Sequence, residues 1–373
     1  SERFGQDDDW CESLARLYIR ADYEMTFPSS TSLRFEFMTL ILQPGASNKL
    51  ENNPQAAILS NSSEISFNMS CFVGNSTAEG KPIIQLKVFD SDLLSMTNLI
   101  FQNVSTAATF IVSESMLQMN SVILKGSQLP FEIDTSPIVQ IFGSSPDKPF
   151  NINITNLSLN FSTQGLFNNY LPSLFSIDQY HNISVLNFSL VNHEVKFRAP
   201  LFTISNSSQV TLQQFSLRNF TYTFSQITSA FSVLTTKAVI ITDIYLDNLI
   251  SDISSNENFY QFTFFKAAEH QLNYNFSQSI SDIALTNSQL SGSLFISIDG
   301  NLTGLTVTNL WISNITDTFS FLAVKKIFLV NLLNTQEVPT YIWNITNVTL
   351  LNLNVSSLSL ISLSYQELQT LKV

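Results

Sequence analysis

The sequence is poor in charge, histidine, cysteine and glycine, and each shortage removes a class of explanation. In 373 residues, 17 Lys and Arg stand against 29 Asp and Glu, a net charge of −12. Charged residues make up 12% of the chain, about half the usual share of a soluble domain. Nucleic-acid binding needs clustered cations that displace counterions, and an anionic bilayer surface asks for the same, so neither partner is expected. No apolar run approaches the ~20 residues of a spanning helix, and no direct membrane insertion is expected within this segment. The two Cys and the three His (His181, His193 and His270) lack zinc-ligand spacing. No Gly-rich phosphate loop, Gly-x-Ser-x-Gly elbow or His-Glu-x-x-His run occurs, so no metal and no cofactor is expected. With only 10 Gly, tight turns fall to Asn and Ser.

What is abundant argues for a packed, exported protein. The chain is 44% hydrophobic and holds 31 Phe, far from the composition of a disordered chain. Seventeen positions fit Asn-x-Ser/Thr: Asn61, Asn68, Asn75, Asn103, Asn153, Asn156, Asn160, Asn182, Asn187, Asn206, Asn219, Asn275, Asn301, Asn314, Asn344, Asn347 and Asn354. This composition would yield roughly 8 or 9 by chance. The excess points to a secreted or cell-surface protein bearing N-linked glycans. In that compartment Cys11 and Cys71 are expected to form one disulfide. It would close a loop of about 60 residues, worth roughly 4 kcal/mol on the chain-entropy view. The start at Ser1 is acidic and polar, as expected of a mature chain whose leader has been removed.

Most of the chain repeats one frame, with apolar residues at relative positions 1, 3, 6, 8 and often 11. Leu94, Met96, Leu99, Phe101 and Val104 show it, as do Ile183, Val185, Phe188 and Leu190. It returns from Val210, Val239, Leu305 and Val348, with weaker copies near Leu117, Ile152, Gln278 and Ile327. Period-2 spacing marks strands with one face buried. The extra residue between positions 3 and 6 is read as a bend joining two short strands whose apolar faces both point inward. A third strand is expected at Leu174–Ile177, Leu201–Ile204, Phe231–Val233 and Leu294–Ile298. Units of this size bury a core only by stacking on their neighbours.

Position 5 is Asn98, Asn156, Asn187, Asn309, Asn331 or Asn352 in six copies. Position 10 is Asn103, Asn192, Asn219, Asn248, Asn287 or Asn314. Asn tolerates the left-handed backbone of a tight bend, and stacked Asn side chains can hydrogen-bond as a ladder. Asn156 and Asn187 are bend residues and glycan acceptors at once. A side chain stacked inside the coil could not carry an oligosaccharide, so one assignment is expected to fail at each, the ladder rather than the glycan.

Three short strands per coil, an Asn bend and stacked aliphatic and aromatic rows resemble the right-handed parallel β-helix of the pectin-lyase-like superfamily, over roughly residues 33–373. The resemblance implies an all-β solenoid of about a dozen coils. It is weak for function, since that superfamily spans lyases, hydrolases, adhesins and inert fibres. Length with abundant Asn and Phe and few Gly is similar to large surface proteins of single-celled eukaryotes. Residues 7–22 are expected to form a short helix, Asp7–Asp9 at its start and Trp10, Leu14, Leu17 and Tyr18 on one face, within a capping segment over 1–32. Ile361, Leu363 and Tyr365 read as another coil with no polar stop, so the end is either truncated or covered by another molecule. Loops are expected at 143–151, 46–56 and 251–260.

Catalysis finds little support in the residues. Asp243 and Asp282 share position 5, but adjacent copies carry Gln214 and Asn309. Lys196, Arg198, Arg218 and Lys237 lie mid-chain without a partner pattern. The Asn-Thr-Asp, Asp-Asp, Gly-His-Gly and Arg-Ile-Lys segments of related polygalacturonases are absent. Phe259, Phe262, Phe264 and Phe265 read as core rather than as a sugar platform. The expectation is a non-enzymatic structural glycoprotein, a subunit of an extracellular filament or surface coat assembled head-to-tail. A cell-surface adhesin or carbohydrate-binding stalk is the alternative, and a polysaccharide lyase or glycosidase stands behind both.

Overall fold

The computed structural model describes residues 10–20, 25–27, 32–43, 56–60, 64–74, 85–89, 93–102, 110–113, 115–126, 139–143, 150–161, 170–171, 175–197, 200–224, 229–234, 236–251, 263–268, 277–290, 293–299, 304–316, 319–324, 342–355 and 358–363. Nearly all of them are strand. One sheet holds 14 strands and a second 12, and along each sheet the strands follow chain order. Each strand pairs in parallel with its neighbours one coil before and after. The fold is a parallel β-helix.

The repeated frame becomes the register. Ile183, Val210, Val239, Gln278 and Leu305 stand in one row along the axis. Phe188, Phe215, Ile244, Ile283, Leu310 and Val348 form another. The long strands of the first sheet, such as Asn182–Phe197 and Gln209–Phe224, carry positions 1 to 9 around a corner and so wall two sides of each coil. The second sheet closes the third side with Phe175–Asp178, Phe202–Ser205, Ser229–Leu234 and Ser293–Asp299, where the third strand was expected.

The abundance of Phe is explained inside. Phe175, Phe202 and Phe231 occupy consecutive coils of the second sheet and stack face to face, centroids 4.9 and 5.2 Å apart. Phe188 meets Phe202 and Phe231 edge-on from the opposite wall, and Phe215 meets Phe231 at 90°. Stacking along the axis and edge contacts across it are the two arrangements that ring quadrupoles favour.

Three expectations need correction. Among the described residues the helix expected over 7–22 covers Trp10–Ser13, while Ala15–Arg20 is a strand paired with Met38–Gln43 over six residue pairs. The 3–4 spacing of Trp10, Leu14, Leu17 and Tyr18 reads as helix in isolation. The open edge of the first coil offers backbone hydrogen bonds that outweigh that local preference. Asp7–Asp9 lie outside the described residues. Second, the copy assigned to Val348 begins five residues earlier, because Val348 pairs with Leu310 and Trp343 with Leu305. Spacings of 2, 3, 2 and 3 repeat every five residues, so a frame displaced by five fits the apolar pattern equally well. Asn347 therefore takes position 5, and Asn352 takes position 10. Third, the copy near Ile327 adds no strand between its neighbours, since Gly304–Thr316 pairs directly with Ile342–Asn354. Asn331 itself lies outside the described residues, as does most of each expected loop.

One residue violates the core. Gln278 stands between Val239 and Leu305 in the innermost row, is 3% exposed, and neither its Nε2 nor its Oε1 has a hydrogen-bond partner. A buried amide without partners loses its hydration uncompensated. Gln278→Met, which keeps the chain length and removes both polar atoms, is expected to raise stability by about 2 kcal/mol. Urea unfolding of the two proteins side by side is the check, and a destabilised variant would show that the amide is satisfied in solution.

Candidate functional site: the corner ladders

Each coil turns its first corner on a residue in the left-handed region. Along the axis these are Phe37, Met69, Asn98, Ser121, Asn156, Asn187, Gln214, Asp243, Asp282, Asn309 and Asn347, with φ between 47° and 59°. Asn219, Asn248, Asn287, Asn314 and Asn352 do the same at the second corner, and Gln179 and Asn206 at the third. Left-handed φ costs an ordinary side chain about 1–2 kcal/mol, least for Asn and Asp, whose short polar groups bond locally. That selection fills the corners with Asn.

The corner side chains point outward and bond to one another. At the first corner the Asn156 amide donates to Asn120 Oδ1 at 2.8 Å and that of Asn187 to Asn156 Oδ1 at 2.6 Å. Further along, Asn309 donates to Asp282 at 2.8 Å and Asn347 to Asn309 at 2.6 Å. At the second corner Asn248 donates to Asn219, Asn287 to Asp247, Asn314 to Asn287 and Asn352 to Asn314, at 2.7–3.1 Å. At the third, Asn206 donates to Asp178 at 2.8 Å, beside the Ser205 hydroxyl. All nine amides donate toward the preceding coil.

The conflict expected at Asn156 and Asn187 therefore dissolves. Both make ladder bonds, and both are exposed, because the ladders run along the outside of the coil rather than inside it. Of the ladder residues read from sequence, Asn309 and Asn352 bond as described and Asn98 holds a left-handed corner. Sequence reasoning missed Asn120, Asp178 and Asp247 as members. Asn120 and Asp247 sit one position before a corner, where their only signal is an Asn or Asp preceding a frame residue.

Among the sequons, Asn153, Asn156, Asn182, Asn187, Asn206, Asn219, Asn314, Asn344, Asn347 and Asn354 are exposed, and Asn68 is half-buried. Asn160 lies in a strand, and Asn61, Asn75, Asn103, Asn275 and Asn301 fall outside the described residues. Cys11 and Cys71 are bonded to each other. They pack with Ile100, tying the Trp10–Ser13 helix to the first coils.

Asp243 and Asp282, the two carboxylates that share position 5, stand on adjacent coils because Thr242 pairs with Ser281 and Ile244 with Ile283. Neighbouring strands lie ~4.8 Å apart, near the lower bound of about 5 Å for paired glycosidase carboxyls. The surroundings of Asp282 oppose a role as general acid. The Asn309 amide and then the Ser281 hydroxyl hold the Asp282 carboxyl below its ordinary value against the opposing effect of burial, with a lesser contribution from the Thr242 hydroxyl, whereas a general acid needs a raised one. By linkage, Asp282 contributes stability above its unfolded pKa and loses it as pH falls through the lower folded value. Asp243 accepts from Gln213 Nε2 at 3.1 Å. Arg218 is held over the Tyr245 ring, 4.5 Å from its centroid, and its Nε donates to Ser216 Oγ. His181 and Lys237 line the third corner, where their backbone amides bond to Phe150 and Ser207. The side chains of His193, Lys196, Phe264 and Phe265 lie outside the description, as do His270, Arg198, Phe259 and Phe262. Among the described residues no group of three or more His, Cys, Asp or Glu is placed to hold a metal, and no helix is long and apolar enough to cross a membrane.

The third corner also holds the core's buried phenol. Tyr180 is fully buried, and its hydroxyl donates to the Ser115 carbonyl at 2.9 Å. Next to it, Gly143 donates its N–H to the Asp178 carbonyl at 2.8 Å. Comparison with protein-family models, curated proteins and solved structures returns no match.

Proposed function

We propose that this chain is a non-enzymatic structural glycoprotein of the cell exterior, a subunit of a filament or surface coat whose copies stack head-to-tail. Kinship with the pectin-lyase-like β-helices belongs to the same proposal, as does the right-handed sense that parallel crossovers adopt. One observation carries it. The strand Ile342–Asn354 closes the first sheet without a further partner among the described residues. Its Ile345, Val348, Leu350 and Leu353 are half-buried, while their partners Val307, Leu310, Ile312 and Ile315 are within 2% of full burial. A long edge with a half-covered apolar row is a template for another parallel strand. The opposite end offers one in Ser32–Glu36, which among the described residues pairs on one side only. Contact between unlike ends is heterologous and propagates.

Electron microscopy of the full chain secreted by a eukaryotic host is the test. The expected result is filaments with an axial repeat near 55–60 Å, about a dozen coils at ~4.8 Å. Isolated rods at high concentration would overturn the filament. They would favour the second reading, an adhesin or carbohydrate-binding stalk. That reading is supported by Tyr245 and Trp311, 36% and 47% exposed on one outward row with Ala284 between them, an apolar platform of the kind sugar rings stack on.

A further inference from the structure

We infer that the corner ladders are glycan attachment sites whose hydrogen bonds survive the modification, so that the sequon residues that donate in them, Asn156, Asn187, Asn206, Asn314 and Asn347, serve as ladder members and glycan carriers together. The inference rests on the glycoprotein reading above. All five are exposed and followed at the second position by Ser158, Ser189, Ser208, Thr316 and Thr349.

The chemistry turns on which amide hydrogen each use requires. An Asn amide has two N–H groups and one carbonyl oxygen. Asn156 donates to Asn120 on one side and accepts from Asn187 on the other. Asn314 donates to Asn287 and accepts from Asn352 in the same way. A row that enters at the oxygen and leaves through the nitrogen in line uses the hydrogen pointing away from the carbonyl oxygen. Glycosylation replaces the other one, since a secondary amide is trans and places its nitrogen substituent beside the oxygen. In the transfer, the amide nitrogen attacks the anomeric carbon of a lipid-pyrophosphate-linked oligosaccharide. The C1–N bond forms and the C1–O bond breaks. The pyrophosphate leaves with the electron pair, and one amide proton passes to a base. The remaining N–H is the one the ladder needs. At Asn314 a second feature favours the sugar: Trp311, three residues earlier, presents a half-exposed indole, with its Nε1 already donating to Ser313 Oγ.

Two measurements on the protein secreted from a eukaryotic host decide it. Glycopeptide mass spectrometry should find these five ladder sequons occupied in folded protein, alongside the exposed sequons outside the rows, Asn153, Asn182, Asn344 and Asn354. The glycans are then trimmed in two ways. An endoglycosidase leaves one N-acetylglucosamine and keeps the ladder N–H. An amidase converts each carrier Asn to Asp, removing that N–H and adding charge to the row. The first treatment should leave Tm nearly unchanged and the second should lower it by about 5 °C. A variant with Ser158, Ser189, Ser208, Thr316 and Thr349 changed to Ala keeps the ladder amides and loses the sequons of its donors, and should lose the difference between the enzymes. Bare ladder sequons beside occupied ones elsewhere, or equal shifts from the two enzymes, would overturn the inference. Absence of glycan at every sequon would instead overturn the glycoprotein reading on which it stands.

Discussion

Phe188→Ala is expected to lower the unfolding free energy by about 4 kcal/mol, the middle of the range for a large aromatic deleted from a packed core. The ring is fully buried. Its loss removes edge contacts with Phe202 and Phe231 at 5.8 and 6.4 Å between centroids and a tilted contact with Phe215 at 5.3 Å. The surrounding strands are held in register from both sides, so the walls cannot close on the space and the cavity term stays large. Phe188→Leu should recover more than half of the loss. Urea titration followed by far-UV circular dichroism on the oxidised protein measures both. A loss below about 1 kcal/mol would mean that the coil relaxes around the gap and that the edge contacts across the axis carry little.

Gly143→Ala is expected to cost about 3 kcal/mol, for the opposite reason. A Cβ at this position would stand 1.9 Å from the Gln179 carbonyl oxygen and 2.9 Å from its carbon. Both are backbone atoms of the adjacent coil, so no side chain can swing aside. Accommodation would pull Gly143 off the Asp178 carbonyl that its N–H bonds and shift Tyr180, whose ring also borders the site. Overpacking that moves backbone falls at the upper end of the usual range of about 1–3 kcal/mol. Thermal unfolding of Gly143→Ala beside Gly304→Ala separates the cause. The nearest atom at Gly304 is 3.9 Å away, and substitution there should change little. Equal effects at both sites would rule out the clash.

The coil was legible in the sequence because its cause is local and repeated. Position 1, 3, 6 and 8 residues such as Ile183, Val185, Phe188 and Leu190 are all buried, and a left-handed residue between positions 3 and 6, most often Asn or Asp, marks the corner in the described coils from Phe37 to Asn347. Phase at the last copy was not legible, since a frame with a five-residue period has two equivalent origins and only pairing with Gly304–Thr316 chooses between them. The strand Ala15–Arg20 was hidden because its partner is provided by tertiary structure, not by its own spacing. The ladder was legible in membership more than in place. Asn recurring at fixed offsets reveals a row, but not on which side of the wall the row runs. Gln278 was read as an ordinary frame position, and the cost of its buried amide is apparent only once its neighbours are seen to be apolar.

The common direction of the corner amides has an electrical consequence. Each Asn turns its N–H toward the preceding coil and its carbonyl toward the next, so the side-chain dipoles of a row add instead of cancelling, and neighbours in the row polarise one another. A row of this kind is positive at its low-numbered end, as a helix is. Three carboxylates lie at that end: Asp282 begins the row through Asn309 and Asn347, Asp247 the row through Asn287, Asn314 and Asn352, and Asp178 accepts from Asn206. A carboxylate can accept from the next coil but has nothing to donate to the one before, so it can only start a row. The solenoid thus carries short, oriented electrostatic segments along its surface, three of them begun by an acid at the positive end and two by an asparagine, Asn120 and Asn219, in a fold with almost no helix among its described residues.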